Sequence, residues 1–489
     1  MTPGTPFSAT DTAEVFGILS TQSTRLVSIF GSIDEAGNPW VHYLVDVASH
    51  EYRVLHVPAA GAIPSATFIT PAAAWYEREL HDQFGVTVDG HPDPRPLVFH
   101  ENWPKGVHPM AQDVSGVPFA SGEYQFLKID GVGVCEVPVG PVHAGIIEPG
   151  HFRFSVVGDT ILHLELRHFY THKGTEKLFQ GKPASNGTMI AESVSGDNCF
   201  AHAVAYCQAV EAACDTSVPV RAQGIRLIGL ELERMMAHIG DVGALCGDVG
   251  FMVPAARAAQ LKEELLRMSA KVVGTRYWRG ISAPGGVTRD ISTSDQSLLR
   301  QTIASVAREF AELAQMILET PSVQNRFEST GELKPLVARD FAVVGPVARA
   351  SGVHLDVRHD HPYGAYRNRP FVPVTYHYGD VLSRARVRID ETHASAVLLD
   401  QALGELPSGE VLHKMSVTTD AQGFSAVESP RGELLYWIEL RGGKIARCHI
   451  KSPSFQNWPA LPLTMPGNII ADFPLINKSF NLSYSGCDR

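Results

Sequence analysis

The stretch that most limits what this chain can fold into runs from Ala191 to Glu211, AESVSGDNCFAHAVAYCQAVE. Gly196, Asp197 and Asn198 read as a turn, and beyond them Phe200, Val204, Cys207 and Val210 recur at spacings of four and three. That period predicts a helix with a buried surface, opened by a short kinked turn. Its neighbours follow in sequence. Val220 to Cys246 sets Ile225, Ile228, Leu232, Met235, Ile239, Val242 and Leu245 on one stripe, and Pro254 to Gly274 places Pro near its first turn and Gly at its end. Thr293 to Leu318 carries Leu299, Ile303, Val306, Phe310, Leu313 and Ile317 at helical spacing, with Thr293 and Gln296 as a candidate capping box. With Asn198 to Cys214 these predict a helical bundle, and such stripes are core packing rather than a cofactor site.

A chain of 489 residues, 44% hydrophobic, is long enough for two or three domains with a substantial core. A net charge of −11 without clustered Lys and Arg excludes a nucleic-acid binder, and proteins are the expected partners. Seven cysteines with no C-x-x-C pair fit free thiols in a reducing compartment. No run of 18 uncharged apolar residues occurs, and the N-terminus lacks a basic region followed by an apolar one. A soluble chain, able to sit on a membrane complex, is the expectation.

Ahead of the bundle, Leu26 to Phe30, Trp40 to Val47 and Tyr52 to Val57 read as strands. Ala72 to Phe84 reads as a helix with Trp75, Leu80 and Phe84 toward one face and Glu77, Arg78 and Glu79 between them. By residue type alone, the charged run there is as well explained by a solvated face. Pro104 to Glu123, rich in Pro, Gly, Ser and Ala, is the expected linker. After it, alternation in Phe152, Phe154, Val156 and in Ile161, His163, Glu165 predicts a hairpin turning at Val157 to Thr160. His143, His151, His163, His168 and His172 cluster in sequence, but only His168 and His172 stand four apart, on a segment that reads as strand and turn. No zinc site is expected.

Three groups of motifs carry a resemblance to known families. WYERELHDQFGVTVDGHPDPRPLVFHENWPKGVHPM resembles the signature of the complex I peripheral-arm subunit that lies beside the quinone-pocket subunit, through Glu77, Arg78, Glu79, Asp82, Gly90, His91, Pro92, Asp93 and Arg95. Gly140-Pro141-x-His143, Glu148 to Arg153 and His172-Lys173-Gly174-x-Glu176-Lys177 resemble the start of the large subunit of membrane-bound, complex-I-like hydrogenases. Gly345 to Tyr366, through Arg349, Ser351, Asp356, Arg358 and Tyr363, and Val427 to Leu434, through Arg431, resemble later segments of the same superfamily. The resemblance covers nearly all of the chain. It implies an α+β architecture: residues 1–103 a complex-I 30-kDa-subunit-like docking domain, 104–123 a linker, and 124–489 a hydrogenase-large-subunit-like helical bundle with a peripheral β region.

Laid on the metal-bearing turn of the [NiFe] hydrogenases, E-R-V-C-G-I-C-G-F-A-H, residues 192–202 put Ser195 and Asn198 at two cysteine ligand positions, and the tail puts Ser483 and Gly486 at the other two. Cys199 and Cys487 each fall one residue late, and the sequence shows no extension of the kind removed after metal insertion. Soft thiolates hold nickel and iron, so the resemblance implies the frame of that site without its metal. It also implies a place in NAD- and quinone-linked electron transport, yet Ile147 and Gly196 stand where the family's quinone-binding His and Tyr would be. His143, Glu148, Asp197, His202, Arg349, Asp356, Arg358 and Arg431 are the candidates for a remodelled pocket. The implied cofactors are none in this chain, an iron–sulfur cluster in a small partner subunit, and a quinone; antiporter-like membrane subunits are further partners. Two functions stay open: an oxidoreductase-complex subunit lining a quinone-like pocket, or a non-catalytic scaffold of such a complex. A divergent hydrogenase subunit is the remaining alternative.

Overall fold

The computed structural model describes residues 10–47, 50–59, 61–143, 147–415, 417 and 420–489. Strands Arg25–Ile33, Pro39–Val47 and Glu51–Pro58 form an antiparallel meander. The first two are buried along almost their whole length because both faces are covered. One face takes the helix Ala73–Phe84, whose Phe84 ring lies so near Gly31 that a Cβ there would stand 2.7 Å from it. Only glycine permits that approach. The opposite face packs on a second meander, Ala421–Ser429, Gly432–Arg441 and Lys444–Lys451. Val27, Phe30 and Leu44 meet Leu435 and Trp437 there, and Phe30 stacks on His449 with ring centroids 4.3 Å apart. Glu433 joins the two sheets: it accepts from Arg25 at 2.7 and 2.8 Å, from Tyr52 at 2.6 Å and from Lys451 at 2.6 Å.

The charged run of the helix Ala73–Phe84 is not a solvated face. Glu77 is fully buried and accepts from the Ser65 hydroxyl and the Ala66 amide, both at 2.6 Å, and from the Thr67 hydroxyl at 2.9 Å. Asp82 accepts from the Leu97 and Val98 amides, each at 2.8 Å. Asp82 satisfies backbone donors that the Gly- and Pro-rich tail cannot pair within itself, and Glu77 does the same for the loop ahead of the helix. Beyond that tail, residues 111–133 hold no helix or strand and are mostly exposed, covering most of the expected linker and running on to Gly133.

A third meander, Val134–Val139, His151–Val157 and Thr160–Arg167, contains the expected hairpin, closed by Gly158 and Asp159. Its second strand departs from the expected alternation. The pairing slips by one residue between Ser155 and Val156, so Leu164 shares the core with Ile161 while His163 and Glu165 turn away. A bulge inverts the faces beyond it.

In the bundle, Val220–Asp248 is the central helix, flanked by Cys199–Ala213, Met252–Val273 and Val381–Gly404, with Thr293–Glu319 packed outside the last two. Every residue of the predicted central stripe is buried, but so are Glu231, Glu233, Arg234 and His238 on its other sides. The capping box of the outer helix lies one residue earlier than its spacing suggested. Ser292 is the extended residue, its hydroxyl accepts from the Asp295 amide at 3.2 Å, and the Asp295 carboxylate accepts from the Ser292 amide at 3.1 Å. Thr293 is already helical.

Buried histidines give the fold an acid-labile character. Burial pushes His168 and His202 down to about 3 and His449 down to about 4. A group held neutral in the fold but titrating near 6.5 when unfolded leaves stability intact above pH 6.5 and removes it as pH falls toward the folded value. Each such imidazole is expected to cost about 1.4 kcal/mol per pH unit in that window. Urea midpoints measured from pH 7 to 4 should fall steeply. His168→Phe, in a box of Trp75, Phe152, Trp458 and Tyr484, should flatten the slope by one histidine's share.

Candidate functional site

The turn that opens the helix Cys199–Ala213 meets the last helix, Tyr484–Asp488, and the two bring three of the four predicted metal positions, Ser195, Ser483 and Gly486, together. Ser195 Oγ and Ser483 Oγ share a hydrogen bond of 2.9 Å. Ser483 caps the last helix by accepting from the Gly486 amide at 2.9 Å, and a Cβ at Gly486 would lie 3.0 Å from Ser483 and 3.4 Å from Ser195. Asn198 is the residue before the first turn of its helix, where a side chain usually accepts from the amides two and three residues on. Here Glu233 of the central helix takes those amides instead, Phe200 N at 2.8 Å and Ala201 N at 3.1 Å. Burial pushes the Glu233 carboxyl up to about 8. Asn198 therefore makes no cap, and its Oδ1 is buried without a partner among the described residues.

The two nearby cysteines face elsewhere. Cys199 donates to the Tyr277 carbonyl at 3.3 Å, and burial raises its thiol to about 12. Cys487 is fully buried, and burial raises its thiol as well. A nickel–iron pair needs soft anionic donors. Two hydroxyls bonded to each other, a carboxamide and a glycine do not fit it. No group of three or more His, Cys, Asp or Glu side chains converges as a metal site among the described residues.

The mouth is polar. Arg431, in the turn between Ser429 and Gly432, holds Asp197 with two bonds of 3.0 and 2.6 Å and donates Nε–H to the Asn481 carbonyl. Burial would raise the Asp197 carboxyl, but Arg431 draws it below the usual range. The Asp197 side chain is 48% exposed, so solvent screens the pair and it orients Arg431 more than it stabilises the fold. Glu148 accepts from the Ser485 amide at 2.8 Å, and His143 Nε2 lies 2.8 Å from the Gly150 carbonyl. At the floor, His202 Nδ1 lies 2.8 Å from the Tyr436 hydroxyl. Val142, Ile147 and Met189 are exposed apolar side chains on the segments around this mouth.

Arg349, Asp356 and Arg358 are elsewhere: the structure places them in the interior rather than along a cleft. Arg349 binds Glu391 at 2.7 Å and Glu428 at 2.9 Å; Arg358 binds Asp356 at 2.7 Å and Glu231 at 3.1 Å. Burial opposes ionisation of Glu231, but Arg358 and Arg234 hold it down at about 2. Arg234 donates to the carbonyls of Glu428 and Ser429, so this network anchors the strand end that presents Arg431. Gly345 sits beneath that turn, where a Cβ would come within 2.2 Å of the Arg431 carbonyl. Sequence reasoning did not single out Glu233, Tyr436 or the network's Glu231, Glu391 and Glu428 as site residues. Charged residues inside the apolar stripe of the central helix were the available signal. A cleft of about 490 Å³ beside Tyr52, Gln208, Tyr363 and Phe424 is lined by none of the predicted pocket residues.

Comparison with known proteins accounts for both halves. Residues 7–119 match the respiratory-chain NADH dehydrogenase 30 Kd subunit family, and residues 248–422 and 415–489 match the 49 Kd subunit family. The chain is 36% identical to formate hydrogenlyase subunit 5 of Escherichia coli (strain K12) over 443 residues, covering 87% of this chain and 77% of that one. It is 34% identical to hydrogenase-4 component G of the same organism over 469 residues, covering 94% and 80%. Among solved structures, a chain of the membrane-bound sulfane sulfur reductase, an archaeal respiratory membrane complex, superposes with a TM-score of 0.69 at 25% identity, covering 73% of this chain and 99% of that one. A sheet unit ahead of a helical bundle, a turn meeting the C-terminal helix, and these matches agree: the chain belongs to the family of formate hydrogenlyase subunit 5, with a 30 Kd-type and a 49 Kd-type segment of respiratory-chain NADH dehydrogenase joined in one polypeptide.

Proposed function

We propose that this chain is a subunit of a membrane-associated respiratory oxidoreductase complex, that it docks a small iron–sulfur subunit, and that it works without a nickel–iron centre. The observation that carries this reading is the convergence of Ser195, Ser483 and Gly486 on one closed hydrogen-bonded cluster beneath a half-exposed mouth. Exposed Val142, Ile147 and Met189 give that mouth an apolar margin suited to cover by a partner. Antiporter-like membrane subunits and the cytoplasmic face complete the assembly. The site serves as a remodelled quinone-like pocket, in which His202, Asp197 and Arg431 supply polar contacts.

The Asp197–Arg431 pair across the mouth favours a second reading, a non-catalytic scaffold whose old cavity has been closed. Purification of the native complex, with partner identification, elemental analysis and assay of a quinone analogue, separates them. The expected result is a co-purifying iron–sulfur subunit, nickel far below one per chain, and reduction of the analogue. An intact complex inert toward the analogue selects the scaffold. Near-stoichiometric nickel, lost on Cys199→Ser and Cys487→Ser, would return the chain to the hydrogenases.

A further inference from the structure

The floor of the site contains a donor and an acceptor with no partner. His202 and Asn198 are 0% and 2% exposed, and among the described residues His202 Nε2 and Asn198 Oδ1 make no hydrogen bond. Asn198 stands just before the first turn of the helix and His202 on it, so both lie at the same helix start. A buried polar atom left unpaired is unfavourable, so two at one helix start call for a guest.

The tautomer of His202 decides what guest fits. The Tyr436 hydroxyl lies 2.8 Å from Nδ1 and has no other hydrogen-bond partner among the described residues. If Nδ1 carried the proton, the phenol proton would be left without an acceptor and Nε2 would be an orphan acceptor. If the phenol donates to Nδ1, a single orphan remains, the Nε2 proton. The second arrangement leaves fewer buried groups unpaired and prevails. Asn198 Oδ1 is free for a separate reason, since Glu233 has taken over the helix cap.

We propose that Tyr436 is a positioning residue that fixes His202 as an Nε2–H donor, and that Nε2–H and Asn198 Oδ1 together seat one oxygen of a small neutral guest, water in the resting chain and a ligand hydroxyl when one enters. An anion would satisfy Nε2–H but be repelled by Oδ1. A metal cation would satisfy Oδ1 but meet a proton on Nε2. A neutral oxygen that accepts one bond and donates another satisfies both. The ligand part rests on the pocket reading above; the water part does not.

The test is nitrogen-15 NMR on the full chain labelled at histidine, with His202→Gln to assign the resonance and water as the probe. The expected spectrum shows Nδ1 unprotonated, Nε2 protonated, and an Nε2–H cross-peak to bound water. Asn198→Leu, of similar shape, should abolish that cross-peak while leaving the other histidine signals unchanged. Tyr436→Phe should convert the single tautomer into a mixture. An Nδ1–H tautomer in the wild-type chain, a missing water cross-peak, or a tautomer indifferent to Tyr436→Phe each overturns the proposal. If Tyr436→Phe fails to fold, the wild-type tautomer and Asn198→Leu still decide. These signals are read on the chain alone, so a failed seat is distinguishable from a complex inert toward the quinone analogue.

Discussion

Arg349→Met is expected to destabilise the fold by about 3–5 kcal/mol, the cost of removing one partner from a buried ion pair. Arg349 has no solvent exposure, and its guanidinium binds Glu391 and Glu428 and also donates to the Leu355 carbonyl at 2.7 Å. Methionine matches the stem in length but supplies no charge. Among the described residues Glu391 would keep only His238, and the Glu428 carboxylate only the Val357 amide. Against a typical total of about 5–15 kcal/mol, such a loss removes a large fraction of the margin. The check is the chemical-denaturation midpoint, or soluble yield where the variant does not accumulate. If orphaned carboxylates are the cause, Arg349→Met combined with Glu391→Met should recover part of the loss. A single variant within 1 kcal/mol of wild type, on the same scale, would refute the account.

Glu433→Ala should act with similar size at a different place, between the two packed sheets. It would leave Lys451, which is fully buried and bonded through its ammonium to Glu433 alone among the described residues, as an uncompensated charge, and would take Glu433 from Arg25 and Tyr52 as well. The expected cost is again about 3–5 kcal/mol. Its signature is regional. Hydrogen exchange should rise first in Arg25–Ile33 and Gly432–Arg441, while the central helix stays protected. Arg25 alone is less decisive, since it also holds Asp46 at 3.0 Å and is partly exposed. Uniform loss of protection across the chain would show that the two sheets do not form a separable unit.

The helices were readable because apolar spacing repeats locally, and the stripes at Ile225 to Leu245 and Leu299 to Ile317 face the core as their period requires. The turn at Gly196 to Asn198 was readable from residue types. What could not be read were contacts made across long stretches of chain. Glu231 meets Arg358 over 127 residues, and Arg25 meets Glu433 over 408. Before its partner is known, a carboxylate in a helix resembles a solvated one, which is why Glu77 and Asp82 invited the wrong environment. Arg349, Asp356 and Arg358 illustrate the converse: the motif marked them for a pocket, and the fold buries them in the ion-pair network behind Arg431. The bulge opposite Ser155 left no mark in the strand's composition, so His163 and Glu165 took the face opposite to the one their alternation suggested.

Glu233 has a consequence for how this chain tolerates change. In most helices the residues just before the first turn are held to a narrow alphabet, because one of them must bind the exposed amides. By reaching in from another helix to bind Phe200 N and Ala201 N, Glu233 releases Ser195 to Asn198 from that duty. The turn can then be rewritten side chain by side chain while the helix behind it keeps its start. A loop so relieved is a natural site for chemistry to be lost, exchanged or installed by engineering at little risk to the scaffold.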